Sequence, residues 1–181
     1  MTRLKLATVW LGGCSGCHMS FLDLDEWLID LAAQVDLVFS PFVDVKEYPV
    51  GVDVVLVEGA IANEEHLEMI QIVRARSQIL ISFGDCAVTG NVTALRNPFG
   101  GAETVLERSY IEAGDMYAQI PDEPGIVPRL LDRVTPVHTV TPVDIYLPGC
   151  PPAATRIRAA LEPLLQGQKP VLVGREFIKF G

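Results

Sequence analysis

Three strand-length runs are apolar almost throughout, and each meets a glycine within two residues of its end: Lys5–Leu11 (KLATVWL), Val52–Val57 (VDVVLV) and Gln78–Phe83 (QILISF). A strand with one wet face alternates apolar and polar side chains. Runs without that alternation belong to a sheet covered on both faces, which means a parallel sheet with helices on either side. Val35–Phe39 and Asp144–Leu147 read as two further strands, the last stopped by Pro148-Gly149. Helical spacing fills the gaps. Met19–Ala33 puts Phe21, Leu22, Leu24, Leu28, Leu31 and Ala32 on a buried face. Glu64–Ala75 carries Leu67, Ile70 and Val73 on one stripe behind an Asn63 N-cap, and Ala153–Leu165 is a last amphipathic helix. The alternation predicts an α/β chain: a flavodoxin-like, doubly wound parallel sheet of strand order 2-1-3-4-5.

At 181 residues the chain is the length of one domain, here 1–181. The stretch from about 96 to 143 breaks the alternation, being rich in Pro, Gly and acidic residues with one short helical piece near Ala102–Ser109. A long insertion before the last strand is commonly functional or partner-facing. Net charge is -9 with only 14 Lys and Arg, dispersed along the chain, which argues against nucleic acid as a partner. No apolar run is long enough to span a bilayer, so no membrane is expected. Met1-Thr2-Arg3-Leu4-Lys5 leads straight into the first strand without an apolar signal region, and the expected location is cytoplasmic. Apolar residues at 49% and a mean hydropathy of +0.31 point to a large core together with an interface.

In that compartment four cysteines are metal ligands or redox groups sooner than disulfides. Cys14 and Cys17 follow the first strand, Cys86 the fourth and Cys150 the fifth, each beside glycine. In a parallel sheet those strand ends share one edge, and strands about 4.8 Å apart place the loops around an object the size of a cubane cluster. Glycines 12, 13, 16, 84 and 149 allow the backbone to approach such a core, and Pro148, Pro151 and Pro152 stiffen the loop around Cys150. One Cys-x-x-Cys pair plus two distant cysteines suits a 4Fe-4S cluster with Cys14, Cys17, Cys86 and Cys150 as ligands. Two alternatives stay open. A structural zinc site also takes four cysteines, though usually as two Cys-x-x-Cys pairs. A thioredoxin-like thiol–disulfide oxidoreductase would use Cys14 and Cys17 between strand and helix, and leaves Cys86 and Cys150 without a role. FMN is not expected in this chain, because the loop after the first strand carries cysteines in place of a Ser/Thr-rich phosphate cradle.

The segments Gly12-Gly13-Cys14-Ser15-Gly16-Cys17, Val57-Glu58-Gly59-Ala60-Ile61, Gly84-Asp85-Cys86-Ala87 and Leu147-Pro148-Gly149-Cys150-Pro151-Pro152, in this order, resemble the proximal-cluster motifs of nickel–iron hydrogenase small subunits. The similarity runs from about Lys5 to Leu165. The related complex I subunit has adjacent cysteines at the first position, where this chain has Cys14-x-x-Cys17. With no fifth cysteine, the chain is similar to the short small subunits of soluble NAD-reducing nickel–iron hydrogenases. The resemblance implies an electron relay between a large subunit holding the nickel–iron centre and a diaphorase module with FMN, further iron–sulfur clusters and NAD. It also implies that hydrogen is split elsewhere, so no residue here is catalytic by itself. Glu58, just past the third strand, is a group supporting the cluster, a step in a proton route, or a solvated loop carboxylate. His18 is a contact to the cluster's surroundings or the large subunit, or a capping or packing side chain. His66 and His138 show no ligand spacing and read as surface residues.

Overall fold

The computed structural model describes residues 3–178. Among the described residues seven strands form in chain order: β1 (Leu4–Trp10), β2 (Val35–Phe39), β3 (Val52–Glu58), β4 (Ile61–Asn63), β5 (Ser77–Phe83), β6 (Leu130–Thr135) and β7 (Ile145–Leu147). Five make a parallel sheet in the order β2-β1-β3-β5-β7, which counted along the chain is the expected 2-1-3-4-5. Both faces are covered. Leu6, Leu56, Ile81 and Phe83 pack with Trp27, Leu31, Ile157 and Leu161 on one side. Val9, Val55, Val57 and Leu80 pack with Ile70 and Val73 on the other. Alternate residues of β3 therefore feed two different cores, which is why that strand is apolar at nearly every position. At about 1.5–3 kcal/mol for each buried aliphatic side chain, this double burial is what holds the layers together.

The single helix expected over Met19–Ala33 is two: α1 (Gly16–Leu22) and α2 (Trp27–Gln34). The break falls in the acidic stretch between them, where Asp25 takes a left-handed conformation (φ 49) that a short polar side chain tolerates. The break turns Leu24 and Trp27 inward and leaves Leu22 exposed, against the expected buried face. Helix α3 (Glu64–Arg76) starts as expected: Asn63 Oδ1 accepts the His66 N–H at 2.8 Å. Then follow α4 (Asp85–Thr89), α5 (Ala102–Leu106) and α6 (Ala154–Leu165).

The insertion is more ordered than its composition suggests. A 3-10 turn spans Thr93–Phe99, α5 runs on into a wider π turn at Glu107–Glu112, and β6 pairs antiparallel with β4. Asn97 clamps this small sheet, donating to Val134 O at 2.9 Å and accepting the Val134 N–H at 2.8 Å. Arg96 donates to Ala62 O at 3.1 Å and to Leu131 O. Val137 is fully buried among the residues under β3 and β5. Among the described residues no helix is long and apolar enough to cross a membrane.

Candidate metal centre

The sheet register aligns the site. Trp10, Glu58, Phe83 and Leu147 are successive Cα partners across β1, β3, β5 and β7, so the four strands end on one row. Cys14, Cys86 and Cys150 follow that row by three or four residues, and Cys17 lies in the first turn of α1. Cross-loop bonds then fix the loops to each other. Leu11 N–H donates to Glu58 O at 2.8 Å, and Gly12 and Ala60 exchange backbone bonds of 2.9 and 2.8 Å. Gly84 N–H donates to Leu147 O at 2.8 Å, and Asp85 N–H donates to Gly149 O at 2.9 Å. The Asp85 carboxylate returns the tie by accepting the Gly149 N–H at 2.6 Å. Ser20 Oγ donates to Pro152 O at 2.6 Å, joining α1 to the Cys150 loop.

Cys17 is buried, Cys86 half-buried, and Cys14 and Cys150 are exposed. Burial pushes the Cys17 thiol far up, and the charges of Glu58, Cys86, Cys14 and Cys150 add to the push. Two glycines make room for sulfur: a Cβ on Gly84 would stand 2.2 Å from Cys17 Sγ, and one on Gly16 would stand 3.2 Å from Cys14 Sγ. Gly84 and Gly149 sit at φ 86 and 140, values that side chains rarely adopt. The Cys150–Pro151 bond is cis. Donors reach the sulfurs from the turn after α4. Asn91 Nδ2 donates to Cys150 Sγ at 3.3 Å. Burial raises the Cys86 thiol, and hydrogen bonds from Thr93 and Val92 oppose it.

Four thiols on three loops are a donor set that an iron–sulfur cluster could take. A structural zinc site usually takes two Cys-x-x-Cys pairs, and this chain has one such pair and two distant cysteines. A cubane spreads its thiolates over four corners, and N–H groups aimed at ligand sulfurs are what an iron–sulfur site uses. A thioredoxin-type pair calls for an electropositive setting that lowers a thiol pKa. Such a pair would also leave Cys86 and Cys150 without a role, although their loops end on the same sheet edge.

Glu58 is not a solvated loop carboxylate: it is 1% exposed, because its position on β3 points it under α1. Its Oε2 accepts the His18 backbone N–H at 2.9 Å and also pairs with His18 Nδ1. His18 is buried too, edge-on to Phe42 and Phe83, and its Nε2 finds no hydrogen-bond partner among the described residues. His66 is half-buried instead of a surface residue: its Nδ1 accepts the Ala62 N–H at 3.3 Å at the head of α3, and burial lowers its pKa against a smaller effect of Glu65. His138 is exposed. Asp85, Asn91 and Thr93 were not legible as site residues. Asp85 lies inside one of the four motifs, but the bond it makes to Gly149 crosses 64 positions, and nothing local announces it.

Residues 14–164 match the family model described as NADH ubiquinone oxidoreductase, 20 Kd subunit. The chain is 40% identical over 175 residues to a subunit of the F420-non-reducing hydrogenase of Methanothermobacter thermautotrophicus, covering 92% of this chain and 55% of that one. It thus spans about half the length of that curated relative. It is 38% identical over 170 residues to the delta subunit of the NAD-reducing hydrogenase HoxS of Cupriavidus necator, covering 92% and 80%. A chain in the crystal structure of an NAD+-reducing nickel–iron hydrogenase in the H2-reduced state superposes with a TM-score of 0.92 at 35% identity, over 99% of this chain and 100% of that one.

Proposed function

Because the chain belongs to the NADH ubiquinone oxidoreductase 20 Kd subunit family and is homologous to a subunit of NAD-reducing hydrogenase, we propose that it is the electron-transfer small subunit of a cytoplasmic NAD-reducing nickel–iron hydrogenase. On this reading it is a single iron–sulfur domain that works within the overall reaction H2 + NAD+ = NADH + H+. The observation that carries the reading is the single row on which β1, β3, β5 and β7 end, which brings the three cysteine-bearing loops to one sheet edge. Cys14, Cys17, Cys86 and Cys150 would each supply one thiolate to a 4Fe-4S cluster, which takes up and releases single electrons when bound.

The chain's own residues do the holding and tuning. Asp85 fixes the Cys86 loop to the Cys150 loop, and Ser20 fixes the latter to α1. Glu58 holds the first turn of α1, and with it Cys17, through His18. The partner on the cluster side would be a large subunit carrying the nickel–iron centre. Trp10, at the end of the aligned row, and Met19 and Leu22 on α1 are exposed apolar side chains at that edge and suit such a cover. The electron acceptor would be a diaphorase module with FMN and further clusters, where NAD is reduced.

The test is electron flow in the assembled complex. With Cys86→Ser, hydrogen-driven NAD+ reduction should fall at least about tenfold, since a hydroxyl replaces a soft thiolate poorly. NADH oxidation by an artificial acceptor, which needs only the diaphorase, should persist. Undiminished hydrogen-driven reduction would overturn the relay role.

A further inference from the structure

The turn after α4 reverses tightly over two of the four sulfurs. Gly90 (φ 87) caps the helix and Asn91 (φ 30) follows it. A Cβ on Gly90 would come within 2.8 Å of Ala94 Cβ. From this turn the Asn91 amide donates to Cys150 Sγ at 3.3 Å, and the backbone N–H groups of Val92 and Thr93 reach Cys86. Thr93 Oγ1, donating to Gly12 O at 2.7 Å, ties the turn to the loop that carries Cys14 and Cys17. Glycine would fill a left-handed position such as 91 without strain, and asparagine tolerates it less well. What asparagine adds there is an N–H donor at a sulfur.

An N–H bond to a thiolate draws charge off the sulfur and favours the more negative, reduced state of whatever the sulfur ligates. We infer that Asn91 sets the reduction potential of the cluster, holding it up through its hydrogen bond to the Cys150 thiolate; this rests on the four-cysteine reading above. Asn91 is a tuning residue, not a ligand. In the relay one electron enters and the same one leaves, and no bond or proton of Asn91 changes hands.

The test is a redox titration of the assembled complex, following by EPR the signal that Cys150→Ser abolishes. Asn91→Gly keeps the left-handed turn and removes the donor. Asn91→Asp keeps the shape and puts an acceptor in the donor's place. Both should retain iron and sulfide and show a midpoint more negative than the unsubstituted complex, Asp further than Gly. An unchanged midpoint with Asn91→Gly overturns the assignment. Loss of iron in both variants overturns it as well, by making Asn91 a structural support of the loop. If no EPR signal depends on Cys150, the four-cysteine reading itself fails, and this assignment falls with it.

Discussion

Single residues at this site are constrained by space and by donors. Gly84 has no room for even a methyl group: its Cβ would lie 2.2 Å from Cys17 Sγ, at φ 86. Gly84→Ala should therefore lose most of the iron bound per chain, as read by an iron and sulfide assay, although alanine is the smallest change available. Glu58 offers a graded case. Glu58→Ala strands the buried His18 N–H and Nδ1, at about 1–3 kcal/mol for each donor left unsatisfied. Glu58→Gln keeps one acceptor oxygen and should cost less. Thermal unfolding of the complex should rank the Tm values as unsubstituted, then Gln, then Ala; equal values would mean that the pair does not hold α1. That the four cysteines lie just past strand ends could be read from the sequence, because glycine marks those ends. The burial of Glu58 could not, because it depends on α1 lying over the end of β3, and a residue next to glycine at a strand end reads equally as wet.

Elements were legible where the hydrophobic period was long. The ends of β2 and the start of α3 fall where the pattern puts them. The break between α1 and α2 was hidden because leucines on both sides keep helical spacing across it. The β4–β6 pair was hidden because β4 has three residues and β6 joins it from a Pro-rich stretch. At the head of α3, Asn63→Ala should destabilise by about 1 kcal/mol, since it removes the acceptor for the His66 N–H; a denaturation midpoint reads this. A second joint ties α3, β5 and β7. Asp144 Oδ2 accepts from Leu80 N–H at 2.8 Å and from Arg74 at 2.6 Å. Burial alone would raise the Asp144 pKa, but the Leu80 and Arg74 bonds, with the charges of Arg74 and Lys169, outweigh it and hold the carboxyl below the ordinary aspartate value. A carboxylate depressed in the folded state contributes stability above its unfolded pKa, and that contribution is lost as pH falls through the folded value. The unsubstituted chain should therefore lose stability on acidification below about pH 4, and Asp144→Asn should flatten that limb. Because the carboxylate is 45% exposed, the effect should be small. An unaltered acid limb would remove Asp144 from the account.

At the scale of the whole molecule, one parallel sheet ends on a single row, and everything specific to the site hangs from that row. An acidic chain with exposed apolar side chains at the same edge should be stable only with that edge covered, so expression without the large subunit should give protein that aggregates or loses iron in air. The central claim is that four cysteines share one cluster. The most direct measurement is acid-labile sulfide and iron per chain in anaerobically purified complex, with Cys14→Ser, Cys17→Ser, Cys86→Ser and Cys150→Ser each compared with the unsubstituted protein. The account predicts that every one of the four substitutions removes the same cluster's share of sulfide and iron. Full sulfide and iron in the Cys86→Ser or Cys150→Ser complex would contradict it.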